Sequence, residues 1–231
     1  MMQDDVDTDT IYQDIKNIQN NKPLAILPDT YLIKMTNGDE TNNGYALLHL
    51  NRKNIFLVDV LALDVLKTYQ DKGYHVSGLG ITHNELVDKN RLEEVTEILG
   101  DAPIFMHPLE SQNYGDLTTD ALQPHDAFKG FSIQIYDGLG TDSGDLAFYS
   151  EINNGMLFTG KTAKGSEYDS ENTSIERPRG ADTTNDIAAA ENWRRFTATF
   201  LHVLPGKGKP ALYLTEGEQK DLIIQLGKKH S

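Results

Sequence analysis

A chain of 231 residues, 38% apolar and 24% charged, is long enough and hydrophobic enough to bury a substantial core in one large domain. Its 21 Lys and Arg against 35 Asp and Glu leave a formal charge of −14, which repels a nucleic-acid backbone, and the densest basic run is only Lys207 to Lys209. The absence of cysteine excludes disulfides, thiolate zinc sites and cysteine nucleophiles, and no segment approaches the ~18 uninterrupted apolar residues of a membrane span.

Residues 1 to 22 are polar and rich in Asn and Asp. They read as an N-terminal extension, with a frayed first ten residues and then a short helix or edge segment, ahead of a single domain over 23 to 231. The acidic start has neither the basic residues nor the apolar stretch of a signal peptide, so the expected address is the cytoplasm, away from membranes.

From Tyr31 the pattern becomes one of short apolar runs separated by polar turns, which is hairpin punctuation. Leu32 to Met35, Tyr45 to Leu50 and Ile55 to Asp59 are the predicted strands of a meander. Leu61 to Lys72 carries apolar residues at 61, 65, 66 and 69 and closes at Gly73, the spacing of a helix. Val76 to Ile81, a second helix from Lys89 to Leu99, and Pro103 to Met106 complete a βαβαβ passage.

Three further strands follow, Phe131 to Tyr136, Asp145 to Ser150 and Met156 to Thr159, the last two joined by the Asn153-Asn154-Gly155 turn. Residues 163 to 183 are polar and read as a long exposed loop. Ile187 to Thr199 reads as a helix, Phe200 to Leu204 as a strand and Thr215 to Lys228 as a last helix. The order implies an α+β fold of αββα type: two packed mixed β-sheets with helices outside.

Gly155-Met156-Leu157-Phe158-Thr159-Gly160-Lys161-Thr162 satisfies the phosphate-loop pattern G-x-x-x-x-G-K-[ST], which would make the chain a nucleotide binder. A phosphate loop needs a flexible turn that follows a buried strand and opens a helix. Here the intervening Met-Leu-Phe-Thr is itself strand-like, and Ala163-Lys164-Gly165-Ser166 has poor helical promise. The match therefore lacks its context.

Six colinear stretches over about residues 31 to 214 resemble the metallo-β-lactamase superfamily, of the glyoxalase II-like kind. They are Ile55 to Asp59; Lys67 to Asp88, ending in Ile81-Thr82-His83-Asn84-Glu85-Leu86-Val87-Asp88; Pro103 to Pro108; Gly138 to Tyr149; and the lysine-bearing Leu157 to Thr162 and Leu204 to Gly208. The resemblance implies the αββα fold. It also implies where metal ligands would fall. In the family's T-H-x-H-x-D-H loop His83 matches the first histidine, Glu85 the second, Val87 the aspartate and Asp88 the third histidine. Thr141 matches the next histidine, Lys161 the metal-bridging aspartate and Lys207 the last histidine. Only His83 keeps a ligand of the family.

A divalent ion about 4 Å from an ammonium feels a repulsion of roughly 8 kcal/mol at an effective dielectric near 20. No metal ligand set is therefore assigned, zinc is expected to be absent and no other cofactor is implied. Two uses remain open for Lys161 and Lys207: holding a carboxylate or phosphate, or ion pairing internally with Glu85 and Asp88. The expected function is that of a pseudoenzyme binding a small anion or a protein partner through His83, Glu85, Asp88, Thr141, Lys161 and Lys207. The alternative is a hydrolase of ester, thioester or phosphoester type with a reduced or metal-free site, for which His83 and Lys161 are the candidate catalytic residues.

Overall fold

A computed structural model of the chain describes residues 7–37, 40–180 and 182–229. The first helix, α1 (Thr8–Lys16), starts where the Asp7 carboxylate accepts from the Thr10 amide at 3.2 Å, an N-cap that satisfies one otherwise orphaned donor. The stretch read as an extension contributes to the core, because Ile15 and Ile18 are buried in it.

Strands β1 (Leu24–Leu27), β2 (Thr30–Asn37), β3 (Glu40–His49) and β4 (Asn54–Val58) form the expected antiparallel meander. Helix α2 (Leu63–Asp71) then returns the chain to β5 (His75–Gly80), and α3 (Lys89–Leu99) returns it to β6 (Ile104–Met106). Both crossovers place parallel strands side by side. After the short α4 (Pro108–Ser111), β7 (Thr119–Asp120) completes a sheet of seven strands in sequence order among the described residues.

The second sheet begins after α5 (Asp126–Lys129). It consists of β8 (Ile133–Asp137), β9 (Leu146–Ser150) and β10 (Met156–Gly160), with β13 (His202–Pro205) added in parallel beside β10. A two-residue pairing of β11 (Lys164–Gly165) with β12 (Ile175–Glu176), then α6 (Thr183–Arg195), lies between β10 and β13, and α7 (Glu216–Leu226) closes the chain.

The apolar residues sort into three layers with a period of two along each strand. On β4, Phe56 and Val58 face the second sheet while Ile55 and Leu57 face α2 and α3; on β9, Leu146 and Phe148 face the first sheet while Ala147 and Tyr149 face α6 and α7. Strands buried on both faces carry continuous apolar runs. Where the sheets meet, Gly80 makes room for the Phe148 ring: a Cβ there would lie 2.6 Å from Phe148 Cζ. This is the expected αββα architecture.

Two sequence readings are corrected. Helix α6 spans Thr183–Arg195 rather than 187 to 199, because Asp182 caps it by accepting from Thr184 N at 2.7 Å and Phe196 leaves the helix in an extended conformation. The stretch 163 to 183 is not simply an exposed loop: Ala163, Ile175 and Arg177 are buried. Arg177 anchors it, donating to Asp186 at 2.6 Å, to Leu226 O at 2.9 Å and to Lys228 O at 2.7 Å. Among the described residues no helix is long and apolar enough to cross a membrane.

Candidate functional site

At the ends of β4, β5, β10 and β13 the loops meet over a buried hinge of hydrogen bonds. Asp59, just after β4, is 2% exposed and accepts from Thr82 twice, from its amide and its hydroxyl, both at 2.8 Å. Thr82 Oγ1 also lies 3.0 Å from His83 Nδ1. With the Thr82 hydroxyl proton spent on Asp59, Nδ1 is the donor of that pair, which leaves Nε2 of the neutral ring as the acceptor. The Leu146 amide, at the start of β9, donates to Thr82 O at 2.8 Å and ties the two sheets together at this point.

The two lysine loops are tied to one another and to β3. Gly206 N donates to Gly160 O at 2.9 Å, and Gly165 N donates to Lys207 O at 2.9 Å. Asn43, fully buried on β3, donates from Nδ2 to Pro205 O at 2.8 Å and to Gly208 O at 2.7 Å, and accepts from the Tyr168 hydroxyl. The backbone around Lys161, Lys164 and Lys207 is thus fixed by hydrogen bonds on three sides.

Lys161 Nζ donates to Glu85 at 2.8 Å and to Asp142 at 2.5 Å. Burial alone would lower the lysine pKa, but these two bonds outweigh it and the net shift is upward. Glu85 moves down in response, chiefly through its hydrogen bond to Lys161. Both carboxylates are more than half exposed, so solvent screening keeps each contact to about 1 kcal/mol or less. The bridge sets geometry more than stability.

Burial pushes Asp59 up to about 7 and Asp145 up to about 6, the latter opposed by Lys161. Burial, followed by the charge of Lys161, drives His83 down to about 4. His83 is therefore neutral in the folded protein but protonates in the unfolded chain as pH falls below about 6.5. Its folded pKa is depressed, so stability is lost as pH falls from about 6.5 to 4. His83→Gln removes that loss. Relative to the parent, the variant is expected to gain up to about 3 kcal/mol between those pH values, read by urea unfolding at each pH; parallel pH profiles would show that His83 is not buried in its neutral form.

Of the residues singled out in the sequence, His83, Glu85, Lys161 and Lys207 line one cleft of about 100 Å³, together with Lys164 and Pro178. The others stand apart. Asp88 is the N-cap of α3, accepting from Arg91 N at 2.9 Å, and pairs with neither lysine. Thr141 lies against Gly180 and lines a neighbouring cavity, and it is the next residue, Asp142, that reaches Lys161. Lys207 pairs with Glu40 at 3.5 Å, so of the internal bridges expected with Glu85 and Asp88 only Lys161–Glu85 forms. The phosphate-loop match is a strand: Met156, Leu157 and Phe158 are fully buried in β10, and no helix opens at Thr162.

Asp142, Asp145, Lys164 and Glu40 were missed by sequence reasoning. Asp142 had a signal, since it is the one acid within the glycine-rich run Gly138 to Gly144. Glu40 had none, because its place beside Lys207 depends on β3 passing the loop after β13.

The residues do not fit a divalent metal. Among those described, no group of three or more His, Asp or Glu side chains is placed to hold one. The oxygens of Glu85 and Asp142 are already claimed by a fixed ammonium, and a second, doubly charged cation about 4 Å from it would meet the repulsion of roughly 8 kcal/mol noted above.

Solved structures with the same arrangement of sheets and helices share little sequence with it. The metallo-β-lactamase FIM-1 from Pseudomonas aeruginosa, in its mono-zinc form, superposes with a TM-score of 0.64 at 13% identity, over 90% of this chain and 95% of that one. A metallo-β-lactamase from Erythrobacter litoralis gives 0.61 at 13% identity, over 91% and 94%, and one from Pontibacter korlensis gives 0.60 at 14%, over 87% and 98%.

The chain has the metallo-β-lactamase fold.

No protein-family model matches the sequence, and no curated protein matches it significantly. Similarity at this level of identity extends to the metallo-β-lactamase scaffold and not to the chemistry performed on it. In this chain the ends of the scaffold's strands carry lysines and carboxylates in mutual contact.

Proposed function

We propose that the chain is a pseudoenzyme on the metallo-β-lactamase fold, without metal and without hydrolase chemistry, that binds a small anion in the cleft of Lys161, Lys164 and Lys207. The observation that supports this reading is the convergence of three lysines on a cleft of about 100 Å³ in a chain of net charge −14. Point-charge ammonium groups suit a carboxylate or phosphate, and their backbone is already held in place, which lowers the ordering cost of binding. A protein partner has less support, since the exposed large apolar side chains Leu109, Leu122, Ile152 and Ile224 sit on separate elements.

Two measurements test the proposal. Purified protein analysed for zinc, iron and manganese is expected to hold far less than one equivalent, and stoichiometric metal would overturn the metal-free reading. Calorimetric titration with inorganic phosphate and with acetate is expected to show binding that weakens by about tenfold in Lys164→Ala and in Lys207→Ala, roughly the worth of one charge-assisted contact. Unchanged affinity in both variants would refute the anion site.

A further inference from the structure

The lysine cleft does not end at Glu85. That residue also lines a larger cavity of about 350 Å³, shared with Glu40, Asn42, Asp59, Arg91 and Asn21. The two spaces meet where Lys207 of the first contacts Glu40 of the second at 3.5 Å. Cations dominate one side of this boundary and carboxylates the other, because Arg91 in the second cavity is already paired with Glu94 at 3.0 Å.

The charges across the boundary nearly balance. Lys161 is matched by Glu85 and Asp142, and Lys207 by Glu40, so Lys164 is the one lysine of the cleft with no ion pair among the described residues. A simple anion entering here draws on ammonium groups that these carboxylates already hold, and leaves Glu40 and Glu85 facing added negative charge. The −14 of the whole chain opposes it further. A ligand bringing its own cation to the carboxylate side removes both objections.

Resting on the anion site proposed above, we infer that the ligand is a zwitterion: its carboxylate or phosphate lies in the lysine cleft, and its ammonium group lies in the adjoining cavity against Glu40 and Glu85.

The test compares matched probes by calorimetry at neutral pH: γ-aminobutyrate against butyrate, ε-aminohexanoate against hexanoate, and aminopropyl phosphate against propyl phosphate. Two chain lengths are used because the separation of the charges must match the boundary, and the third pair decides which anionic head is preferred. At least one zwitterion is expected to bind about tenfold more tightly than its amine-free counterpart, as one well-placed charged contact requires. In Glu40→Gln, an exposed position where the change does not threaten folding, that preference is expected to shrink to about threefold or less while the amine-free anion still binds.

Equal affinities within every pair, with binding of the anions retained, would refute the zwitterion and leave the anion site standing. Binding of none of the probes would remove the anion site and this inference together. A preference that persists undiminished in Glu40→Gln would place the amine elsewhere and overturn the assignment.

Discussion

Arg177→Met is expected to destabilise the protein by about 3–5 kcal/mol, the cost of breaking a buried ion pair by removing one partner. The Arg177 side chain is 2% exposed and the Asp186 side chain 5% exposed, so water does little to screen their contact at 2.6 Å. Its other two bonds go to Leu226 O and Lys228 O, at the end of α7 where helical carbonyls lack intrahelical donors. One side chain thus fastens the segment after β12, the first turn of α6 and the last turn of α7. Methionine keeps much of the aliphatic volume and none of the donors. Urea unfolding should show a lower midpoint with an unchanged m-value. A loss below about 1 kcal/mol in the variant would mean the pair is solvated in solution.

That anchor shows where the sequence stopped being legible. A polar run such as 163 to 183 carries no periodicity, so nothing in it distinguished Arg177, which is buried, from Arg179, which lies two residues away and is not. The meander, the two crossover helices and the second sheet were legible because strands sandwiched between layers must be apolar on both faces, and Ile55 to Val58 and Leu146 to Tyr149 are. Helix α6 was placed four residues late because Ala188 to Ala190 and Trp193 drew its centre toward the C-terminus, whereas the capping chemistry of Asp182 sets its start.

At the site, what could be read was the pairing of Lys161 with Glu85, an ammonium and a carboxylate that the resemblance brought to one cleft. Which acid meets which lysine is a matter of loop approach. Asp88 was available as a cap before it was available to a lysine, because the first turn of α3 needs an acceptor there. Glu40 reaches Lys207 from the first residue of β3, 167 residues away in sequence. Such contacts become visible only when the sheet order is known.

Gly160→Ala is expected to cost about 2–4 kcal/mol and to weaken anion binding in the lysine cleft, although it touches no ligand-facing side chain. Gly160 has φ +52, a left-handed conformation that costs an L-residue about 1–2 kcal/mol. A Cβ there would lie 2.2 Å from Thr82 Oγ1 and 2.3 Å from Thr82 Cβ. Thr82 has little freedom to yield, since its amide and hydroxyl are both given to Asp59 and its carbonyl accepts from Leu146. The displacement therefore passes to His83 on one side, to Lys161 next in the chain, and through the Gly206 N to Gly160 O bond to the Lys207 loop. Adding Thr82→Ala is expected not to rescue the variant, because the remaining Cβ is itself within 2.3 Å of the new one. Thermal unfolding and phosphate titration of the two variants check this directly. Wild-type stability and affinity in Gly160→Ala would show that the loops bearing His83 and Lys161 move independently, and that the cleft is not held together by the close approach of Gly160 to Thr82.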